Sequence, residues 1–234
     1  KNIDLQFMPE GGTLVQGIPA TIAFKALNEN GKAADVSGEI RDQQGNTVTR
    51  FESYHFGMGR FRFTPEEGKQ YQAIITSPAG ITKTYDLPQS AGEGIVMNIA
   101  KANKQIGITL TSTSRTEVKL RGSFRNTTYY LQKINLHKGE NKLKIDESVF
   151  PTGIAQFTLY TADELPLAER LVFTNEEKNL QVKISFDKAQ YIPREKVTMS
   201  LQTLDDNGKP LASNLSVAVM DDKLWTYADD KQNH

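Results

Sequence analysis

Thr21-Ile22-Ala23-Phe24-Lys25-Ala26, running on into Asn28-Glu29-Asn30-Gly31-Lys32, decides the class of fold. Ile22, Phe24 and Ala26 recur with a period of two, which lines one side of an extended chain and fits no helix. Asn30-Gly31 then supplies the positive φ angles of a tight hairpin. The same alternation returns in Arg60-Phe61-Arg62-Phe63-Thr64, Tyr71-Gln72-Ala73-Ile74-Ile75, Gln156-Phe157-Thr158-Leu159-Tyr160 and Leu180-Gln181-Val182-Lys183-Ile184-Ser185-Phe186. Each of these strands has one dry and one wet face, as in an antiparallel sandwich. Gln44-Gly45-Asn46 and Asn207-Gly208 add further hairpin turns. The expected fold is all-β, built as tandem antiparallel β-sandwiches of immunoglobulin type.

A length of 234 residues allows two domains of about 100 residues, or three small ones. Pro88-Gln89-Ser90-Ala91-Gly92-Glu93-Gly94 is small and polar and reads as a linker; Thr174-Asn175-Glu176-Glu177-Lys178-Asn179 reads as a second boundary. The expected domains are therefore 1–89, 90–177 and 178–234. An internal repeat supports stacked copies of one unit. Ile18-Pro19 leads through a strand, an Asn-Gly-Lys turn and a second strand to Asp42, and Ile192-Pro193 leads through the same order to Asp221. The last copy holds about three strands where a sandwich of this type needs about seven, so its open edges are expected to favour self-association.

Lys plus Arg and Asp plus Glu are equal at 28 each, so no basic excess points to nucleic acid or to an anionic membrane surface. The absence of Cys removes disulfides, thiolate metal sites and a Cys nucleophile. No run approaches the ~18 apolar residues of a membrane span, and no membrane insertion of this segment is expected. Any signal or anchor is expected to be removed or to lie outside this stretch.

Catalytic chemistry is equally sparse. Phe7-Met8-Pro9-Glu10-Gly11-Gly12-Thr13-Leu14-Val15 has the glycines of a phosphate-cradling loop, but Gly17-Ile18-Pro19 leaves no room for the helix that such a loop needs. It reads as a bend at a strand end, with Glu10 held by local N–H groups. His55, His137 and His234 are too scattered for a metal site. The pairs Asp205-Asp206, Asp221-Asp222 and Asp229-Asp230 fall at turns and polar ends, and Asp205-Asn207-Gly208 reads as a turn rather than a Ca²⁺ loop. No catalytic residue, metal or cofactor is expected.

The aromatic residues Tyr54, Phe56, Tyr129 and Tyr130 are the candidates for a sugar-binding platform. Tyr129 and Tyr130 are neighbours on a strand, so one ring is expected to lie outside the core. Trp225 and Tyr227, in a polar tail, also want a neighbour. Tyr129, Tyr130 and Trp225 form the candidate interaction surface.

"FMPEGGTLVQGIPATIAFKALNENGKAADVSGEI" (7–40) followed by "HFGMGRFRFTPEEGKQYQA" (55–73) resembles a macroglobulin-type domain of bacterial α2-macroglobulin-like cell-envelope proteins. "FPTGIAQFTLYTADELPLAERLVF" (150–173) resembles the closing hairpin of a second such domain, and "YIPREKVTMSLQTLDDNGKPLASNLSVAVMDDKL" (191–224) the opening of a third. The resemblance implies tandem macroglobulin-like sandwiches of fibronectin-III-like shape, a non-enzymatic scaffold in an exported protein of a Gram-negative envelope, in the periplasm or at the outer-membrane surface, with a protein or glycan partner. Two contexts share these domains: protease-trapping macroglobulins with a Cys-Gly-Glu-Gln thioester, and outer-membrane proteins that carry a TonB-receptor plug. No thioester motif stands in this sequence, and Ala228-Asp229-Asp230-Lys231-Gln232-Asn233-His234 is nearer to the plug-bearing group. The rival expectations are a carbohydrate- or protein-binding module of an uptake system and the frame of a protease inhibitor.

Overall fold

The structure, a computed structural model, describes residues 2–220; Trp225, Tyr227 and His234 lie outside the described residues. The chain divides into two compact units, Lys1–Glu176 and Glu177–His234, and the division falls within the polar stretch 174–179. Among the described residues the only helical element is one short 3₁₀ turn at Glu147–Val149, and no helix is long and apolar enough to cross a membrane.

The first unit contains two sandwiches of the same plan. In the first, β1 (Ile3–Pro9), β2 (Ala20–Asn28) and β5 (Met58–Phe63) form one side, and β4 (Thr47–His55), β3 (Ser37–Asp42), β6 (Tyr71–Ser77) and β7 (Thr84–Asp86) form the other. All neighbouring strands are antiparallel, in the order β1-β2-β5-β4-β3-β6-β7. β4 belongs to both sides: it pairs with β3 through Thr47 to Glu52, then, past a bulge, with β5 at Ser53 and His55. One core fills the space between the sides, with Ile22 and Phe24 from β2 meeting Phe51, Ile40 and Ala73 from the other side. Phe24 and Phe51 meet edge to face at 5.1 Å, a geometry that aligns the positive ring edge with the negative ring face. Gly59 leaves the room this needs, because a Cβ there would stand 2.5 Å from the tip of the Phe24 ring.

The second sandwich repeats the plan as a three-stranded sheet, β8 (Ile95–Ala102), β9 (Gln105–Ser112) and β12 (Gly139–Asp146), and a four-stranded sheet. The latter has the order β11 (Thr127–Leu136), β10 (Thr116–Phe124), β13 (Gly153–Thr161), β14 (Pro166–Thr174). β8-β9-β12 takes the place of β1-β2-β5, and β11-β10-β13-β14 that of β4-β3-β6-β7. Ile106, Ile108 and Leu110 face Leu120, Phe157 and Leu159 in its core.

The second unit has one hairpin, β15 (Gln181–Phe186) with β16 (Met199–Leu204). It repeats the pairing of the hairpin β1-β2 and the hydrogen bonds of the turn that follows β2. Asn28 Oδ1 accepts from the N–H groups of Asn30 and Lys32, and Asp205 Oδ1 accepts from those of Asn207 and Lys209. The backbone bond from Asn28 to Lys32 O (2.8 Å) recurs from Asp205 to Lys209 O (2.8 Å), and that from Glu10 to Thr21 O recurs from Asp187 to Thr198 O. Thr198 thus stands where Thr21 stands, and Gly208 where Gly31 stands. Glu195-Lys196 then takes the place of Ile18-Pro19, so Ile192-Pro193 is a feature of its own loop and out of step with the repeat.

The same apolar pattern has two fates. Leu5, Ile22 and Phe24 are buried, whereas their counterparts Val182, Met199 and Leu201 are exposed. Leu215, Val217 and Val219, at the positions of β3, are exposed as well and form no strand. β3 bonds to β4 and β6 but never to β2, and among the described residues no strand of the second unit takes the place of β4 or β6.

Two outcomes follow for unfolding experiments. Phe24→Ala should cost about 3–5 kcal/mol in urea denaturation, and Leu201→Ala, at the equivalent but uncovered position, under about 1 kcal/mol; equal losses would contradict the assignment of the cores. Asp42, buried at the β3–β4 turn, accepts from the N–H groups of Gln44 (3.0 Å) and Asn46 (2.9 Å) and from the Asn46 side chain, and Lys69 lies 3.6 Å away. Burial works to raise its carboxyl, but these partners outweigh it and hold it below the ordinary value. A carboxylate lowered on folding stabilises fully above its unfolded pKa of about 4, and that stability is lost as pH falls through the folded value. Asp42→Asn should therefore flatten the acid limb of a melting-temperature profile, and an unchanged limb would refute this role.

Candidate functional site

The bend Met8–Val15 is the contact between the two sandwiches of the first unit. Pro9 ends β1, and the chain turns through Gly11 (φ 86°) and Gly12 (φ 111°), values that favour glycine. The Met97 N–H donates to Gly11 O at 2.9 Å, so close that a Cβ on Gly11 would lie 2.1 Å from Met97 O. A Cβ on Gly12 would lie 3.0 Å from Leu167 O and 3.2 Å from the Ala168 Cβ. Beyond the glycines, the Ala91 N–H donates to Leu14 O (2.8 Å) and the Gln16 N–H to Ala91 O (2.9 Å), with Val15 bridged in parallel to Ala91. Val15, Ile18 and Val96 close over the contact as a small core of their own.

Glu10 is held across this contact rather than by local N–H groups. Arg170 of β14 places Nη2 at 3.1 Å from Glu10 Oε2, and both side chains are largely shielded from water. The segment 88–94, polar in composition, is pinned at Ala91 and at Gly94, whose N–H donates to Thr113 Oγ1 (3.0 Å) and whose carbonyl accepts from the Thr113 N–H (3.1 Å). The pairing of Glu10 with Arg170 leaves no local pattern in the sequence.

A second polar cluster fastens the last strand of the unit. Glu147 is buried and accepts from the Asn175 N–H (3.1 Å), while Lys101 Nζ lies 3.3 Å from Glu147, 2.6 Å from Glu176 and 2.9 Å from Phe173 O. The Asn175 side chain donates to Glu147 O and Phe150 O. The Glu176 hydrogen bond, and after the opposing effect of burial that of Glu147, hold Lys101 above the ordinary ammonium value. This is a staple: every group in it is occupied.

Tyr129 and Tyr130 do not alternate as a regular strand would have them. Tyr130 pairs with Gly122 and Thr128 with Ser123, so Tyr129 is the extra residue of a β-bulge. Its ring, still 42% exposed, lies 6.1 Å from that of the core residue Phe150 and 6.5 Å from that of Phe124. Tyr130 packs on the core while its hydroxyl bonds Gln132, and burial raises that hydroxyl above its ordinary value. Both rings thus meet the core side. Tyr54 and Phe56 are exposed at the β4–β5 turn of the first sandwich, and Tyr129 and Tyr130 belong to β11 of the second, so the four make no common platform. Trp225 lies outside the described residues.

His55 stacks on Phe56, and His137 Nδ1 sits 2.9 Å from Lys138 O. Among the described residues no three His, Asp or Glu side chains converge as a metal site. A shallow cleft of about 330 Å³ lies beside the joint, lined by Gln16, Lys69, Tyr71, Asp86, Pro88 and Ser90. Lys69 is taken up by Glu66 and Asp42, and Asp86 by the Gln72 side chain, so the cleft offers no spare acid or base.

No family model matches the chain, and no curated protein matches it. Among solved structures, the chain is similar to Salmonella α2-macroglobulin reacted with methylamine, at 11% identity and a TM-score of 0.29, over 86% of this chain and 18% of that one. It is similar to invasin, a bacterial integrin-binding protein, at 13% identity and 0.30, over 91% and 48%. It is also similar to red sea bream transglutaminase, at 11% identity and 0.25, over 73% and 31%. The chain spans less than half the length of each.

Glu147→Ala would leave the buried Asn175 N–H without an acceptor. Its cost should be roughly 1–3 kcal/mol in denaturant unfolding, and a change within about 0.5 kcal/mol, the scatter of ordinary surface substitutions, would show the cluster to be idle.

Proposed function

We propose that the chain is a non-enzymatic structural and interaction scaffold: tandem macroglobulin-like β-sandwiches that set the spacing of other parts of a larger bacterial cell-envelope protein. The observation that carries this reading is the joint at Gly11 and Gly12. A spacer transmits position only if its modules do not swivel, and here backbone hydrogen bonds, an ion pair and a small apolar core act together on one short segment. The polar clusters of the first unit are consumed in bracing turns and strand ends, which favours a structural over a catalytic role. Export to the periplasm or outer-membrane surface, and a neighbouring plug domain, rest on the sequence resemblance. In that setting the hairpin β15-β16 is the opening half of a further sandwich, whose uncovered apolar face takes up further strands or, failing them, another copy.

Amide ¹⁵N relaxation tests the stiffness. The two sandwiches of the unit Lys1–Glu176 should report one common tumbling time, and Gly11→Ala, which drives a Cβ into Met97 O, should split it into two while both cores stay folded. Two separate times in the unmodified chain would refute the rigid-spacer reading.

A further inference from the structure

The outer face of the four-stranded sheet of the second sandwich differs from its counterpart in the first. Across β11, β10, β13 and β14 the pairing sets side chains in rows. One row is Leu131, Arg121, Thr158 and Glu169; the next is Ser123, Gln156 and Leu171; the next is Ile154 and Phe173. Leu131 (66% exposed), Leu171 (60%), Ile154 and Phe173 present apolar surface to solvent. At the other end, Lys119 and Lys133 stand opposite each other beside Tyr160. The face is apolar at one end and of mixed charge at the other, where Glu164 pairs with Lys119 and Glu117 follows in the next row.

Arg121 sits between the two ends without an anionic partner among the described residues. Its guanidinium lies over the Tyr160 ring at 5.0 Å, while its Nε and the Oγ1 of Thr158, directly opposite on β13, are buried with no hydrogen bond among the described residues. Thr158 is only 3% exposed although it belongs to the outer face. Glu169 accepts from the Gln156 side chain and Glu164 is paired with Lys119, so neither nearby carboxylate serves Arg121. The first sandwich shows the alternative. On β3, Arg41 donates through Nε (3.1 Å) and Nη2 (2.8 Å) to Glu39, which also lies 3.5 Å from Arg50. The corresponding strand of the second sandwich has Lys119, not an acid, two residues before Arg121, and its one carboxylate, Glu117, stands four residues away.

We propose that this face docks an extended polypeptide segment that carries one Asp or Glu followed, or preceded, by apolar residues two and four positions away. Three observations fix that chemistry. A guanidinium with no ion pair among the described residues matches a carboxylate, which would meet its terminal amino groups, since Nε and the Thr158 hydroxyl are sealed from a ligand. Successive rows are spaced by two residues along a strand, about 6.6–6.8 Å, which is also the spacing of alternate side chains in an extended peptide. A peptide lying along β13 with its acid in the row of Arg121 and Thr158 therefore sets the next same-side residue over the row of Gln156 and Leu171 and the one after over that of Ile154 and Phe173. Aliphatic Leu171 and Ile154 suit a hydrophobic side chain better than a sugar ring. This role goes beyond spacing and does not depend on the stiffness of the joint.

The test is selection of a phage-displayed random peptide library on the whole chain, followed by titration of the best synthetic peptide against variants. Enriched peptides should show the acid-x-apolar-x-apolar order, in either direction. Arg121→Gln should weaken binding at least about tenfold, the worth of one charge-assisted hydrogen bond. Thr158→Val, which removes a hydroxyl sealed beneath the face, should leave binding unchanged, and Leu171→Ser should weaken it, none with a lowered melting temperature. If Arg121→Gln does not fold, the Leu171→Ser titration and the presence of an acid in the enriched peptides decide. Peptides enriched without an acid, no enrichment at all, binding indifferent to the variants, or retention only on an array of uronate-bearing glycans would each overturn the proposal.

Discussion

The carbonyl of Met97 lies where the Cβ of any residue other than glycine at position 11 would stand. Much else in the first unit follows from that approach. It brings Glu10 within reach of Arg170, lets Leu14 and Gln16 bond to Ala91, and closes Val15, Ile18 and Val96 into a core that neither sandwich possesses alone. Each contribution is modest, since a half-shielded ion pair or one backbone bond is worth about 1 kcal/mol. Their coincidence on one short segment makes the joint cooperative, because none can loosen without shifting the others.

The copies of the repeat form a natural experiment in what a strand pattern requires. β1-β2 and β15-β16 share their pairing, their turn hydrogen bonds and the alternation of apolar residues. One has an opposing sheet and buries its apolar face; the other has none among the described residues and leaves that face in water. Local sequence is thus enough to make the hairpin, and the core needs long-range partners. The two sandwiches likewise share a plan but not a surface: β3 neutralises its own arginine, and β10 does not.

Much of the architecture was legible in the sequence, because period-two alternation and Asn-Gly turns are local signals. Thr21–Ala26 and Arg60–Phe63 are strands with their apolar residues inward, and the Asp205-Asn207-Gly208 turn closes on itself as its composition says. What stayed hidden depends on distance or on a local break of pattern. Glu10 and Arg170 meet across most of the unit. The bulge at Tyr129 cancels the rule that neighbouring side chains face opposite ways, and nothing in Thr127-Thr128-Tyr129-Tyr130 announces it. The Ile-Pro pairs invite an alignment that the hydrogen bonds do not support, since two loops of equal length place their prolines differently. The Arg121 face was missed for a related reason: its residues lie on four strands, and only their register makes a surface of them.

The double membership of β4 bears on how the first sandwich would carry a load. In the second sandwich the three-stranded and four-stranded sheets share no ladder, so they are coupled by loops and by the greasy contact of their inner faces, which resists sliding weakly. In the first, a continuous strand is hydrogen-bonded to both sides, and sliding one over the other must break the ladder at Ser53 and His55 or at Thr47 to Glu52. Hydrogen bonds arrayed across a direction of pull yield together rather than one at a time. Stretched in tandem, the two sandwiches would therefore act as springs of unequal strength, the second giving way first and sparing the module that holds the Gly11 bend.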